Sequence, residues 1–307
     1  MTVEHDLPVA EDLQARTAGN ISRSLTITTV LELLTGDDVI RVTHSVDNDV
    51  RDHRIRVVHP VSAERTYADQ GFGLLTRPKD NPYLEGWREA GFAEAPVPIY
   101  PIANWVVAGE DVRVGLITRG LREYQLTDEG IAVTLFRSVG LLGRDDLQWR
   151  PGRASGINNA VVRTPDAQLQ GHLEFSYGLR FSDARDVGAD WAVATDRYLG
   201  SHLTYQLQTL DSLGDRLERF ELPQPIAAAP AEFSAAEVVG SVHVSAVKLA
   251  EDGDGVVVRV FNPSGTRQPF SVRSTVWVGA RTVTLAETPA DTVAELSPQS
   301  YATVKLA

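Results

Sequence analysis

Histidine pairs and carboxylate clusters are the first candidates for chemistry in this sequence, because both can bind metal ions or move protons. His53 and His59 lie six residues apart on one predicted strand and on the same face, where two imidazoles could stand side by side. We favour the interpretation that both are polar positions of that strand or of its end before Pro60. None of the seven histidines belongs to an H-E-x-x-H motif, so their spacing predicts no zincin-type metal site.

An acidic run resembles the start of a calcium-binding loop. Asp47, Asn48 and Asp49 are followed by Asp52, which stands where an EF-hand loop requires glycine. Position twelve is Val58 instead of glutamate, so the EF-hand interpretation fails. We predict a turn capped by short carboxylate side chains in this segment.

Aromatic side chains offer a different chemistry, since an aromatic face can stack on the C–H surface of a sugar ring. Residues 77–101 form a long, proline-rich connection that carries Trp87, and long loops on rigid scaffolds often carry function. Trp87 is therefore the candidate substrate-binding aromatic. Core packing is an equally good explanation for most of the aromatic set, which comprises Tyr67, Tyr83, Trp87, Tyr100, Trp105, Tyr124, Trp149 and Trp191.

Composition excludes several classes of site. The chain has no cysteine, which excludes disulfides, thiolate zinc sites, iron–sulfur clusters and a cysteine nucleophile. No lysine lies in a glycine-rich loop, which excludes a Walker-type phosphate site, and no G-x-S-x-G elbow supports a hydrolase serine. The net charge of −12 argues against a nucleic-acid partner.

No targeting or membrane segment is evident in the sequence. Residues 1–14 are acidic and lack both a basic start and an apolar run, so no signal peptide is predicted. No apolar stretch reaches the ~18 residues that a membrane-spanning helix requires. We therefore expect a soluble, cytoplasmic protein with no membrane partner.

The hydrophobic pattern that must position these residues has a period of two. Apolar residues alternate with polar ones over residues 24–33 and 172–181, as in half-buried strands. Residues 131–136 form a continuous apolar run, which is typical of a strand covered on both faces. The best helix candidate is residues 189–199, with Trp191 on its apolar face. The predicted fold class is all-β.

The chain of 307 residues is long enough for one large domain or two modest ones. We predict a flexible tail over residues 1–20, a large β-sandwich over 21–222, a linker over 223–240 and a small β-sandwich over 241–307. The linker is inferred from three prolines among alanines, without periodicity, around residues 222–236. The small sandwich is inferred from five short apolar runs, at residues 242–247, 256–261, 270–278, 283–285 and 301–306.

Seven short segments carry a resemblance to a known family. They are H-R-I-R-V at 53–57, G-L-R-E-Y at 120–124, I-A-V-T-L-F-R-S-V-G at 131–140, R-D-D-L at 144–147, P-D-A-Q at 165–168, S-A-V-K at 245–248 and D-G-D-G-V-V-V-R-V-F-N at 252–262. Their order and spacing resemble the C-terminal β-domain of glycoside hydrolase family 38 α-mannosidases. The bacterial branch, which includes mannosylglycerate hydrolases, resembles the chain more than the Golgi or lysosomal enzymes do. Gly143 departs from the pattern, since the family often has serine there.

The resemblance implies a galactose-mutarotase-like super-sandwich followed by a smaller β-sandwich. In the family, an aspartate nucleophile and a zinc ion held by two His and two Asp lie in an N-terminal β/α barrel, whose motifs this sequence lacks. The resemblance therefore assigns no catalytic residue, metal ligand or cofactor to this chain. It does imply a role for Arg119 in substrate binding or at the domain interface, because Arg119 follows Thr118 where the family has an Asp-Arg pair whose Arg reaches toward the active site.

The leading hypothesis is that this chain is the C-terminal β-sandwich portion of an α-mannosidase-type glycoside hydrolase, as an excised piece, a truncated gene product or one half of a split enzyme. It would brace the catalytic barrel, which would be a domain of the same enzyme or a partner subunit. It would also help bind an α-mannoside, and it could self-associate. Alone it would not be catalytic. The alternative hypothesis is a free-standing carbohydrate-binding module for mannosides that uses Trp87. A self-contained hydrolase with unidentified carboxylates ranks last, because no motif supports it.

Overall fold

The structure is a computed structural model that describes residues 1–71, 73–152, 162–183, 186–200 and 232–307. Strands make up 47% and helices 8% of it, so the all-β prediction is confirmed. No helix in these ranges is long and apolar enough to cross a membrane. The chain divides into two compact units, which are described in turn.

The first unit contains Met1–Tyr198 and the short segments Pro263–Gly265 and Pro298–Ser300. Its strands are β1 (Thr2–Val9), β2 (Arg23–Glu32), β3 (Val39–Asn48), β4 (Arg54–Pro60), β5 (Arg65–Asp69), β6 (Leu74–Pro78), β7 (Tyr100–Pro101), β8 (Trp105–Ala108), β9 (Arg113–Thr118), β10 (Glu123–Thr127), β11 (Gly130–Arg137), β12 (Leu141–Leu142), β13 (Val162–Arg163) and β14 (Gly171–Ser182). The helices are α1 (Leu13–Thr17) and α2 (Val187–Leu199), and a 3₁₀ turn spans Pro165–Gln168.

An antiparallel sheet of eight strands forms one layer of this unit, in the order β1-β2-β3-β14-β9-β8-β5-β6. The strand predicted over residues 172–181 is β14, which pairs with β3 on one side and with β9 on the other. Its alternating sequence sends Tyr177 into the core on the inner face. The neighbouring residues Gly178 and Arg180 lie on the outer face, against α2.

A sheet of four strands, ordered β4-β11-β10-β7, forms the second layer. Every residue of β11 except Arg137 is buried, as expected for the continuous apolar run at residues 131–136. The two inner faces share one hydrophobic core, in which Leu116 and Tyr177 of the large sheet join Ile131 and Val133 of the small one. The predicted large sandwich is thus a two-layer structure.

Helix α2 covers the outer face of the eight-stranded sheet. The fully buried ring of Trp191 lies so close to Gly115 that a Cβ atom there would come within 2.5 Å of it. Gly178 leaves similar room beside the ring of Tyr198. Trp191 also packs on Trp105, with ring centroids 5.9 Å apart. The predicted helix is confirmed, and it begins at Val187 rather than at residue 189.

Partly buried ionic hydrogen bonds hold α2 on the sheet. Nη1 and Nη2 of Arg180 donate to the two carboxylate oxygens of Asp190, at 2.6 and 3.0 Å, and Nε donates to Asp38 at 2.8 Å. The hydroxyl of Ser182 also donates to Asp190, at 2.6 Å. Burial by itself raises the pKa of Asp190, but the hydrogen bonds from Arg180 and Ser182 outweigh it, and the net effect lowers the pKa. Asp190 is therefore ionised at neutral pH.

The N-terminal segment corrects a prediction. Residues 1–20, expected to be a flexible tail, contain β1, which pairs with β2 from Thr2 to Val9, and α1. Asp12 caps α1 by accepting a hydrogen bond from the Ala15 N–H at 2.8 Å. Strand β1 was missed because it lies at the edge of its sheet, where the exposed face keeps polar residues and weakens the apolar signal.

The second unit contains Leu199–Asn262, Thr266–Ser297 and Tyr301–Ala307. Its strands are β15 (Ala236–Val239), β16 (His243–Leu249), β17 (Val256–Phe261), β18 (Gln268–Pro269), β19 (Ser271–Ser274), β20 (Ala280–Val283), β21 (Glu295–Leu296) and β22 (Tyr301–Leu306). Sheet β16-β17-β22-β20 and the pairs β15-β19 and β18-β21 contribute to one core. Residues 223–231 of the predicted linker lie outside the described residues, and β15 occupies part of the remainder.

Three of the five apolar runs of the second unit are strands close to the predicted bounds, whereas the run at 283–285 overlaps β20 only at Val283 and the run at 270–278 is shortened. The run at residues 270–278 gives only β19, because the Ser274 hydroxyl accepts hydrogen bonds from the N–H groups of Val276 and Trp277 and turns the chain. Asn262 follows β17 and is fully buried. Its Nδ2 donates to the carbonyls of Thr266 and Leu296, at 2.8 and 3.1 Å, which joins two loops to the end of β17.

Trp191→Ala should lower the free energy of unfolding by about 3–5 kcal/mol, because it leaves a large cavity between α2 and the sheet. Urea unfolding followed by circular dichroism measures the change. Trp149→Ala is the matched control, since Trp149 is 45% exposed, and it should cost about 1 kcal/mol or less. Equal losses in the two variants would contradict the assigned role of Trp191.

Candidate functional site

The predicted sugar platform, Trp87, lies inside the protein. Its side chain is only 4% exposed, and the guanidinium of Arg88 lies over its ring, 4.3 Å from the centroid. Nη2 of Arg88 donates to the Gln148 carbonyl at 3.0 Å, which fixes this arrangement. A sugar could stack on Trp87 only after Arg88 moved away. The sugar-binding role of Trp87 stays a prediction.

Arg119 lies exposed in a tight turn after β9. The hydroxyl of Thr118 donates to the carbonyl of Leu121 at 2.9 Å, and Gly120 adopts a left-handed φ of 88° that closes the turn. Burial raises the pKa of Tyr198, and the charge of Arg119 is among the effects that oppose this rise, so the guanidinium lies near the end of α2. In the described part of the chain, no hydrogen bond, ion pair or ring contact joins Arg119 to Trp87.

The histidines of the β4 region do not form a pair. His53 precedes β4 and packs edge to face on Phe136, with ring centroids 5.3 Å apart. His59 lies near the other end of β4 and contacts Tyr177 instead. Strand β4 runs between them, so the two imidazoles have different neighbours, in agreement with the interpretation favoured from the sequence.

The acidic run belongs to a hydrogen-bonded turn. Asp52 N–H donates to Oε1 of Gln168 at 2.9 Å, and Nε2 of Gln168 donates back to Asp52 Oδ1 at 2.8 Å. The carbonyl of Gln168 accepts from Nδ2 of Asn48 at 3.1 Å and from the Ser138 hydroxyl at 2.8 Å. We call these four residues the Gln168 bracket. A Cβ atom at Gly140 would come within 2.6 Å of the side chains of both Asp52 and Gln168, so a larger residue there would displace this hydrogen-bonded pair.

A polar cluster that the sequence analysis missed lies between the two sheets. The hydroxyl of Tyr177 is hydrogen-bonded to Nε2 of His44 at 3.0 Å and to Nε2 of His59 at 2.9 Å. Nδ1 of His44 is hydrogen-bonded in turn to the Thr29 hydroxyl at 2.9 Å. We call Thr29, His44, Tyr177 and His59 the histidine–tyrosine chain. It joins β2, β3 and β14 of the large sheet to β4 of the small one.

This chain borders a cavity of about 330 Å³, which we call the inter-sheet cavity. The cavity lies between β4 and the inner face of β1, β2, β3 and β14. Its lining is mainly aliphatic, with the histidine–tyrosine chain as the convergent polar group. The lining residues are His5, Leu7, Ile27, Thr29, Leu31, Val42, His44, Ile55, Arg56, Val57, Val58, His59, Leu135, Tyr177 and Leu179.

The histidine–tyrosine chain is uncharged at neutral pH. Burial lowers the pKa of His59 from 6.5 to about 4, and repulsion from His44, when that imidazole is also protonated, acts in the same direction. Burial and His5 also lower the pKa of His44, and burial raises the pKa of Tyr177. The described residues include no group of three His, Asp or Glu that could hold a metal ion. This arrangement can orient protons and hydrogen bonds without carrying a charge.

A sequence signal for this cluster did exist. His44 alternates with Val42 and Val46 on β3, and all three therefore face the core. Tyr177 alternates in the same way with Phe175 and Leu179 on β14. A polar residue in the apolar phase of a strand indicates a buried hydrogen bond, although it does not name the partner.

Comparison with known proteins gives matches to part of a larger enzyme. Residues 241–306 match the glycosyl hydrolases family 38 C-terminal β-sandwich domain. A putative mannosylglycerate hydrolase of Halalkalibacterium halodurans is 28% identical over 289 residues, which are 92% of this chain and 28% of that protein. The chain thus spans little more than a quarter of the length of this curated relative.

Two solved structures share the fold over the whole chain. An α-mannosidase from Enterococcus faecalis V583 superposes with a TM-score of 0.73 and 22% identity, covering 100% of this chain and 33% of that one. A family 38 glycosyl hydrolase protein from Enterococcus faecalis gives a TM-score of 0.70 and 21% identity, with 100% and 34% coverage. At these identities the superpositions show the fold alone. Together the matches confirm the family 38 C-terminal β-sandwich region and a distant homology that covers only part of the relatives.

His59→Gln should reduce the acid sensitivity of the protein. Because the pKa of His59 is about 4 when folded and 6.5 when unfolded, the unfolded chain binds more protons between these values, and stability falls as the pH drops through this window. From pH 7 to pH 5 the native chain should lose about 1–2 kcal/mol more than His59→Gln, which cannot become charged. Urea unfolding at both pH values measures the difference, and identical losses would contradict the buried, neutral state of His59.

Proposed function

We propose that this chain, which carries the family 38 C-terminal β-sandwich region, acts as the non-catalytic β-portion of an α-mannosidase-type glycoside hydrolase. The observation that carries the proposal is the match of the chain to the C-terminal portion of family 38 α-mannosidases. The two-layer core, with α2 fastened across its outer face, suits a bracing role, because such a core forms a rigid surface for another domain.

In this proposal Arg119 contacts the α-mannoside from the β-portion. Its turn is held by the Thr118 hydrogen bonds, and Arg119 is exposed, so its guanidinium can donate to several sugar hydroxyls at once. The nucleophile and the zinc ion would belong to the catalytic portion, as a domain of the same chain or as a separate subunit. A retaining glycosidase needs two carboxyl groups about 5–5.5 Å apart around the reacting carbon, and that pair would also come from the partner. We place the assembled enzyme in the cytoplasm.

The purified 307-residue chain should not hydrolyse 4-nitrophenyl α-mannoside, with or without added zinc. Release of 4-nitrophenolate measures turnover. Hydrolysis by this chain that a chelator abolishes would overturn the proposal, because it would mean that the chain holds its own metal and nucleophile. Trp87→Ala and Arg119→Ala variants of the chain provide the background rate.

Calorimetry separates the bracing role from a free-standing mannoside-binding module. The proposal expects no measurable heat when mannose or mannosylglycerate is added to the 307-residue chain, because one wall of a pocket binds too weakly alone. Micromolar to millimolar binding that is lost in Trp87→Ala and kept in Trp149→Ala would favour the module. Trp149 is the matched control because it is exposed and near the same connection, where its carbonyl accepts from the Ala95 N–H at 2.7 Å.

In the enzyme assembled with its catalytic portion, Arg119→Ala should raise KM for an α-mannoside by about tenfold, the effect of losing one charged hydrogen bond. Arg122→Ala is the control, since Arg122 is also exposed and lies beyond the Thr118 turn. Steady-state kinetics measure both variants. An unchanged KM in Arg119→Ala would remove Arg119 from the substrate pocket and leave the bracing role intact.

A further inference from the structure

We propose that the inter-sheet cavity binds a small neutral molecule that combines an apolar ring or chain with one hydroxyl or carbonyl group. The apolar part would fill the cavity, and the oxygen would form a hydrogen bond with Nδ1 of His59. The proposal goes beyond the mannosidase role and does not depend on it, since the cavity lies within the first unit and is lined by neither Arg119 nor Trp87.

The cavity has the size and the lining of a small-molecule site. Its volume of about 330 Å³ is enough for a small ring or a short chain, and ligand sites usually begin near ~300 Å³. Aliphatic side chains from both sheets form its walls, among them Leu7, Ile27, Leu31, Val42, Ile55 and Val57. Removing apolar ligand surface from water against these walls contributes roughly 25 cal/mol per Å².

The histidine–tyrosine chain supplies one directed polar contact. A neutral imidazole has one donor and one acceptor nitrogen, so the three hydrogen bonds from Thr29 to His59 allow two proton arrangements. In the first, Thr29 donates to His44, His44 to Tyr177 and Tyr177 to His59, which leaves the proton of His59 on Nδ1. In the second, each bond is reversed and Nδ1 of His59 is an acceptor.

Nδ1 of His59 is therefore the end of the chain where a ligand can bind. Among the described residues it has no hydrogen-bond partner, and it is not one of the buried atoms closed off from solvent. Because the proton arrangement can reverse, this nitrogen can donate to a carbonyl oxygen or accept from a hydroxyl. The same site thus accommodates both oxygen chemistries.

The charges around the cavity argue for a neutral ligand. Burial lowers the pKa of both His44 and His59, so neither offers a cation to an anionic ligand at neutral pH. The charged lining residue is Arg56, which is exposed, alternates with Ile55 and Val57 on β4 and donates from Nη1 to Gln125 at 2.9 Å. Its guanidinium therefore lies on the face of β4 that points away from the cavity. No acidic side chain lines the cavity to pair with an amine.

A sugar is a poor fit for the same cavity. The polar atoms of Thr29, His44 and Tyr177 are already bonded to one another, which leaves Nδ1 of His59 as their free end. Each further hydroxyl of a sugar would lose its water without gaining a partner. The ligand that suits this lining has one oxygen group rather than five.

Titration of the 307-residue chain, labelled with ¹⁵N at histidine, tests the proposal directly. The probes are cyclohexanol, cyclohexanone and cyclohexanecarboxylate, which share a ring and differ in the oxygen group. The two neutral probes should bind in the millimolar range and shift the imidazole signals of His59 and His44. Cyclohexanone can only accept a hydrogen bond, so it should fix the proton of His59 on Nδ1. Cyclohexanecarboxylate should bind at least tenfold more weakly.

Two variants distinguish the hydrogen bond to Nδ1 of His59 from non-specific hydrophobic binding. His59→Phe keeps an aromatic ring but removes Nδ1, and it should weaken cyclohexanol binding by about tenfold. His53→Phe is the matched control, because His53 is the other half-buried histidine of the β4 region and does not line the cavity. It should bind cyclohexanol like the native chain.

Three results would overturn the proposal. The first is that the imidazole signals of His59 do not shift when millimolar cyclohexanol is present in 50-fold excess over the protein. The second is equal affinity for cyclohexanecarboxylate and cyclohexanol, and the third is unchanged cyclohexanol binding in His59→Phe. If His59→Phe does not fold, the titration of the native chain still decides, since it compares three probes on one protein. None of these results bears on hydrolysis or on the Arg119 kinetics, so this proposal and the mannosidase role fail separately.

Discussion

The burial of β14 on both faces is the constraint on which the rest of the first unit depends. Its inner face places Tyr177 between the sheets, and its outer face places Gly178 and Arg180 under α2. The two faces of β14 have different neighbours, since the inner face packs against the four-stranded sheet and the outer face packs against a helix. The strand therefore fixes where the histidine–tyrosine chain can form and where α2 must lie.

The two faces also bury their polar groups in different ways. On the outer face, Arg180 keeps its charge, because hydrogen bonds with Asp190 and Asp38 outweigh the effect of burial, and the pKa of Arg180 is raised. On the inner face, the imidazoles of His44 and His59 lose their charge instead, as their lowered pKa values show. A charged network needs a partner for every ion, whereas a neutral one can leave an end such as Nδ1 of His59 open to a ligand.

The local hydrophobic pattern of the sequence predicted the strands and the helix. It did not predict the histidine–tyrosine chain, whose residues are far apart in the sequence. The alternation around Tyr177 and the helical spacing of Trp191 are signals within a few residues, and both became the expected strand and helix. The bond from Tyr177 to His44 spans 133 residues, and no local pattern encodes such a pairing. Trp87 is a second case in which a distant contact was not predictable. The sequence showed that the loop carrying Trp87 is unusual, but Arg88 is held over the Trp87 ring by a contact with Gln148, which is far along the chain.

The residues that carry the family resemblance explain why it identifies a fold more readily than a substrate. Ser138, Gly140 and Gln168 come from two of the resembling segments, and they meet in or beside the Gln168 bracket, where a side chain at Gly140 would displace Asp52 and Gln168. Asn262 ends another of these segments and closes loops in the second unit. Such positions hold turns to strand ends, and their loss would leave buried polar groups unpaired. Because these residues specify turns and strand ends, the resemblance that they carry identifies the fold and does not name a ligand.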